Sequence, residues 1–171
     1  MILRSRHTCA IAASYEAKAY GIRTGTKISD AKKLCPDLLI VPARHELYVE
    51  YHHRLIEEID RHIPIHKVWS IDEMACKLDR SEASREAATD LARRIKRGIA
   101  ERVGGLIIIS IGVAPSSLLA KIATDMEKPD GLVILRGEDL PGRLLELELI
   151  ELPGVGPRMR ERLAKAGIKT I

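Results

Sequence analysis

Apolar residues recur every fourth position at Leu47, Tyr51, Leu55, Ile59 and Ile63. That period predicts an amphipathic helix ending before Pro64. A second stripe, Ala88, Leu91, Ala92, Ile95, Ile99 and Val103, predicts a long helix over about residues 83–103, closed by Gly104–Gly105. A third helix carries Leu119, Ile122, Ala123 and Met126. Ser116 caps it, and it must stop near Lys128 because Pro129 follows. Between the helices the pattern changes. "VWSIDEMACKL" (68–78) reads as a strand through Ile71, a turn at Asp72–Glu73 and a strand from Met74 to Leu78. "LIIISIGV" (106–113) reads as a buried strand with apolar residues on both faces. "KPDG" turns the chain into "LVIL" (132–135), a further strand.

From residue 44 the order is α-β-β-α-β-α-β, an α/β (α+β) fold. A split βαββαβ unit needs one more strand before its first helix. Only "CAIAA" (9–13) offers a short one, so the unit reads as missing its first strand. Residues 1–43 hold short helical pieces, "SYEAKAYG" closed by Gly21 and "SDAKKLCP" opened by Ser29 or Asp30. They carry seven Lys/Arg against three Asp/Glu, a basic lobe. After Arg136 comes a separate helical region. Its "LPGVG" bend leads into a helix from about Pro157 to Ala166, with Gly167 as cap. Thr170–Ile171 reads as the start of a helix that is not continued. The boundaries are thus 1–43, 44–136 and 137–171.

Composition narrows the class. A chain of 171 residues suits one sizeable core or two small domains. Aromatics are 3 % and Phe is absent, so the core must be aliphatic. The net charge of +4 and a pI of about 9.0 lean toward anionic partners. Cys9, Cys35 and Cys76 lack zinc-ligand spacing and read as reduced thiols of a cytoplasmic protein. The longest apolar run, Leu106 to Ile109, is too short to cross a membrane.

The chemistry concentrates at Asp72 and Glu73. Two adjacent carboxylates among Val68, Trp69, Ile71, Met74, Ala75 and Leu78 repel each other and lose hydration, so something must compensate them. A continuous strand would send them to opposite faces, and a tight turn or bulge would bring both toward one site. Read alone, the pair is more often a surface turn than a site. Tyr15 alone is a half-buried packing residue, and Lys128 a solvated turn lysine. Ser116 and Ser117 are helix caps. His45, His52 and His53 read as solvated helix residues rather than metal ligands. Trp69 reads as a core or interface residue. The glycines of "LPGVG" expose backbone N–H groups at a helix start, which suits a DNA phosphate, with Arg158, Arg160 and Arg162 just beyond.

Five stretches in one order, "CAIAASYEAKAYGIRTG", "CPDL", "SIDE", "IGVAPSSLLAKIATDMEKPDG" and "LPGVG", resemble the Y-family of translesion DNA polymerases, the group that includes UmuC, DinB and ImpB/MucB/SamB proteins. The resemblance covers nearly the whole chain. It implies a fingers-like lobe (1–43), a palm-like catalytic domain (44–136) and a partial thumb with a helix-hairpin-helix (137–171). Asp72 and Glu73 match the palm carboxylates, catalytic and metal-binding, which implies two Mg²⁺ ions. Tyr15, Lys18 and Lys128 match residues that hold the incoming triphosphate. Lys18 stands where many members have arginine, so it keeps the charge without the bidentate fork. Gly154, Val155, Gly156 and Arg158 match the DNA-binding hairpin. Implied partners are primer-template DNA, a dNTP and a sliding clamp reached through a region beyond residue 171, with a dimer through an open sheet edge. The family's other principal metal-binding aspartate would precede residue 1. The chain alone is therefore expected to be impaired or inactive. The alternative is a non-catalytic DNA-binding or scaffold protein on a polymerase-like core.

Overall fold

The computed structural model describes residues 2–4 and 9–171. The chain divides into two compact units, residues 1–50 and residues 51–171.

The first unit is built on a sheet of β1 (Ile2–Arg4), β2 (Ala10–Ala13) and β3 (Ile40–Pro42), in the order β2-β1-β3. β1 runs antiparallel to β2 and parallel to β3. This corrects the reading of residues 1–43 as helical pieces with one short strand. Strands of three residues are too short to reveal a period of two. α1 (Tyr15–Ala19) is capped by Ser14, whose Oγ accepts from Ala17 N at 3.3 Å. Gly21 follows at φ +79°, where glycine costs least. α2 (Ile28–Leu34) starts ahead of Ser29, from a Lys27 N-cap with no side-chain bond, and ends before Pro36. Ala10, Ala17, Ile22, Ala31 and Leu38 form the core of this unit.

The helix α3 (His45–Asp60) contains the boundary between the units. Beyond it the element order is the expected one: β4 (Ile65–Val68), β5 (Met74–Cys76), α4 (Arg85–Arg102), β6 (Ile111–Val113), α5 (Ser117–Met126) and β7 (Leu132–Ile134). β4 and β5 form an antiparallel hairpin with a bulge between Ile65 and Lys67. β6 and β7 run parallel, joined through α5 as the crossover. The stripe of α4 is buried as its period demands. Leu91, Ile95, Ile99 and Val103 pack with Ile59, Ile63, Met74, Cys76, Ile107, Ile109 and Ile111. The core is aliphatic, as the absence of Phe required. A second cluster gathers Ala123, Val133 and Leu135. Close approach is set by Gly112, where an added Cβ would lie 2.1 Å from the Ala120 carbonyl oxygen of α5. Ser116 caps α5, accepting from Leu119 N at 3.3 Å.

Residues 106–113 differ from expectation. Only Ile111–Val113 pair as a strand. Ile107, Ile109 and Ile111 enter the core, whereas Leu106 is 97 % exposed and Ile108 61 %. The alternation is that of a strand, but its second face has no packed cover among the described residues. Three short 3₁₀ turns (Gly137–Asp139, Gly142–Leu144, Leu149–Glu151) lead to α6 (Pro157–Lys165). Among the described residues no helix is long and apolar enough to cross a membrane.

Candidate active site

The carboxylates Asp72 and Glu73 sit in the connection between β4 and β5. Trp69 N and Ser70 N both donate to Glu73 O, at 2.8 and 3.1 Å, which closes the turn. Ser70 Oγ donates to Asp72 Oδ1 at 2.7 Å. The Ile71 carbonyl oxygen lies 2.7 Å from His52 Nδ1 of α3, so the tip of the turn is tied to a helix. The surroundings are more open than the run of apolar residues suggested. Val68, Trp69, Ile71 and Asp72 are exposed and Glu73 is half-buried. Trp69 is thereby removed from the core.

The compensation demanded by Glu73 comes from α5. Lys121 Nζ donates to Glu73 Oε1 at 2.5 Å and pairs with Asp125 Oδ2 at 3.1 Å. Asp125 also pairs with Lys128 Nζ at 2.6 Å. The resulting chain runs Glu73–Lys121–Asp125–Lys128. Burial works against the Lys121 ammonium, but its bonds to Glu73 and Asp125 outweigh burial and raise its pKa. Burial likewise opposes the charge on Asp125, and its bonds to Lys128 and Lys121 prevail and lower its pKa. Sequence reading missed Ser70, Lys121 and Asp125. The one available signal was the i,i+4 spacing of Lys121 and Asp125 on the polar side of α5.

Lys128 is thus linked to Glu73 through two intermediates. Its peptide bond to Pro129 is cis, and Asp130 takes φ +57°. Lys128 also lines an open cleft of about 710 Å³ with Arg85, Arg93, Asp130 and Arg143. Tyr15 and Lys18 lie in the first unit. The Lys18 ammonium stands 4.4 Å from the Tyr15 ring centroid, one turn along α1. Tyr15 is 51 % exposed, so it is not a packing residue.

At the far end, Gly154 takes φ +86° and Gly156 is the N-cap of α6, with Pro157 at the first helical position. Gly156 has no side chain to satisfy the first-turn amides, which Arg158 shares. The histidines hold structural contacts: His52 with Ile71, and His45 edge-on to Tyr48.

Asp72 and Glu73 offer hard oxygen donors of the kind Mg²⁺ takes, one exposed and one half-buried. Among the described residues no group of three or more His, Cys, Asp or Glu is placed to hold a metal ion. The pair is therefore a partial donor set, and Glu73 would have to exchange Lys121 for a metal.

Comparison with known proteins gives the family. The chain is 44 % identical over 168 residues to a DNA polymerase IV of Moorella thermoacetica, covering 98 % of this chain and 42 % of that protein. It is 40 % identical over 157 residues to a DNA polymerase IV of Pseudomonas aeruginosa, covering 92 % and 44 %. The chain thus spans less than half the length of these curated relatives. Among solved structures, the crystal structure of DinB from Sulfolobus solfataricus superposes with a TM-score of 0.87 at 32 % identity, over 99 % of this chain and 50 % of that one. An insertion ternary complex of Dbh DNA polymerase gives 0.84 at 34 %, over 95 % and 47 %. The profile of the impB/mucB/samB family matches residues 1–125, and the chain belongs to that family.

Proposed function

We propose that this chain supplies the fingers-like lobe (1–43), the palm-like domain (44–136) and part of the thumb (137–171) of a translesion DNA polymerase. The reaction is template-directed nucleotidyl transfer, in which a primer 3′-hydroxyl attacks the α-phosphate of a dNTP. The observation that carries this reading is the Asp72–Glu73 turn, with Glu73 joined through Lys121 and Asp125 to Lys128. That chain places two carboxylates and two ammonium groups in one connected network, the ingredients of a triphosphate site.

Asp72 and Glu73 would hold divalent metal, Mg²⁺ by the hardness of their donors. When bound, the metal neutralises charge on the attacking and leaving oxygens. Lys128, released from Asp125, would contact the outer phosphates, and Lys121, released from Glu73, would keep Asp125. Tyr15 and Lys18 of the fingers-like lobe match nucleotide-binding residues and would bind the incoming nucleotide. Gly154, Val155, Gly156 and Arg158 would take a phosphate of the DNA backbone through the open helix start. The partners are primer-template DNA and a dNTP.

A graft tests this reading. The matching segment of the Moorella DNA polymerase IV is replaced by this chain, and primer extension is assayed with Mg²⁺. Extension is expected, falling at least about 10³-fold in Asp72→Ala. A graft that binds primer-template but never extends it, beside an active parent, would assign the chain to a non-catalytic DNA-binding or scaffold role.

A further inference from the structure

Trp69 is the sole tryptophan of the chain. It is 56 % exposed, an unusual position for an indole in a protein whose fully buried apolar side chains are, among the described residues, all aliphatic. Its surroundings are specific. The register of the β4–β5 hairpin pairs Lys67 with Ala75 and Val68 with Met74. The next pair is Trp69 with Glu73, joined by Trp69 N to Glu73 O at 2.8 Å. Directly opposed residues of an antiparallel pair share a face, with Cβ atoms about 4.5–5.5 Å apart. Met74 points into the core. Lys67, Trp69, Glu73 and Ala75 therefore stand on the outward face. Lys67 Nζ lies 3.7 Å from the centroid of the Trp69 ring. One face of the indole is held by a cation. Trp69 is thus the cross-strand neighbour of Glu73, whose carboxylate the proposed reaction uses.

An exposed aromatic beside a lysine is the pairing that binds nucleotides, stacking for the base and charge for the phosphate. We propose that Trp69, oriented by Lys67, is a platform on which the terminal nucleotide of the extended strand rests, so that its 3′ end is delivered beside Asp72 and Glu73. Trp69 is then a positioning residue. The inference rests on the polymerase reading and goes beyond it in assigning this surface. A protein partner would equally want the apolar rim of Val68, Trp69 and Ile71. The lysine over the ring and the adjoining carboxylate pair favour a nucleic-acid strand end.

With one tryptophan, emission from the 171-residue chain reports on this position alone. The chain is titrated at low salt with fluorescein-labelled duplexes bearing a recessed 3′ end, a recessed 5′ end or a blunt end. Anisotropy reads binding and tryptophan emission reads stacking. Emission is expected to fall about twofold on the recessed 3′ end and less on the others. Trp69→Ala, with an unchanged circular dichroism spectrum, is expected to raise the Kd for the recessed 3′ end about tenfold, and Trp69→Phe to restore most of it. Emission unchanged at saturating anisotropy, or an unchanged Kd in Trp69→Ala, overturns the platform and leaves the polymerase reading standing. An emission shift that follows protein concentration without DNA also overturns it, and gives the face to a second copy. Absence of DNA binding by any duplex at low salt overturns both.

Discussion

Glu58 is the one charged side chain in the buried set among the described residues, 1 % exposed within α3. Arg102 Nε donates to its Oε2 at 2.8 Å, and His62 Nε2 lies 2.9 Å from its Oε1. Arg61 adds a longer contact at 3.7 Å. Burial pushes against the Glu58 charge, but the bonds from Arg102 and His62 prevail and hold its pKa below the ordinary 4.5. Gly98 of α4 permits the arrangement, since an added Cβ would sit 2.1 Å from Glu58 Oε1. A carboxyl with a depressed folded pKa contributes stability that is present above about pH 4.5 and lost as pH falls through the folded value. Glu58→Gln is therefore expected to cost about 2 kcal/mol at pH 7. It is also expected to flatten the loss of stability below pH 4.5. Urea unfolding at pH 7, 5, 4 and 3 measures both. An equally steep acid loss in the variant would place the responsible carboxyl elsewhere.

At the scale of elements, the C-terminal hairpin carries a separate prediction. Gly156 has φ −85°, which any residue can adopt, while Gly154 at φ +86° favours glycine. Gly156→Val thus changes access to the first-turn amides of α6 without forcing the backbone. Duplex DNA binding at low salt is expected to weaken several-fold while helicity by circular dichroism is kept. Unchanged affinity would remove the hairpin from the DNA interface. The helix itself was legible in the sequence, because proline at N1 and glycine after the end are local signals. The stripe of α4 was legible for the same reason, its period being internal to one segment. Residues 106–110 were over-read, because an apolar run states that it can be covered and not that a cover is present. The sheet of residues 1–50 escaped because its strands are three or four residues long. Asp72 and Glu73 stood out as an adjacent acidic pair. Lys121, the partner of Glu73, lies 48 positions from it, and Arg102 lies 44 from Glu58. Such pairs depend on the tertiary register of separate elements, which periodicity does not encode.

At the scale of the molecule, the two units differ in what holds them. Among the described residues, the core of the first is five buried residues, three of them alanine. Residues 51–171 bury Ile59, Ile63, Leu91, Ile95, Ile99 and Val103 in one cluster and Ala123, Val133 and Leu135 in another. Buried apolar area scales with side-chain size, and a unit of about fifty residues buries a smaller share of its surface than one more than twice its length. The first unit should therefore be the weaker. Trp69 lies in the second unit, so its emission follows that unit alone, whereas the far-ultraviolet circular dichroism sums helices of both. In a urea titration the dichroism is expected to begin falling at lower urea than the tryptophan emission changes, a departure from two-state behaviour. Leu38→Ala in the first core should widen the gap and Ile99→Ala in the second should narrow it, each by destabilising its own unit about 2–4 kcal/mol. Coincident transitions in all three proteins would mean that the units unfold together, and that the lobe carrying Tyr15 and Lys18 shares the cooperativity of the one carrying Asp72 and Glu73.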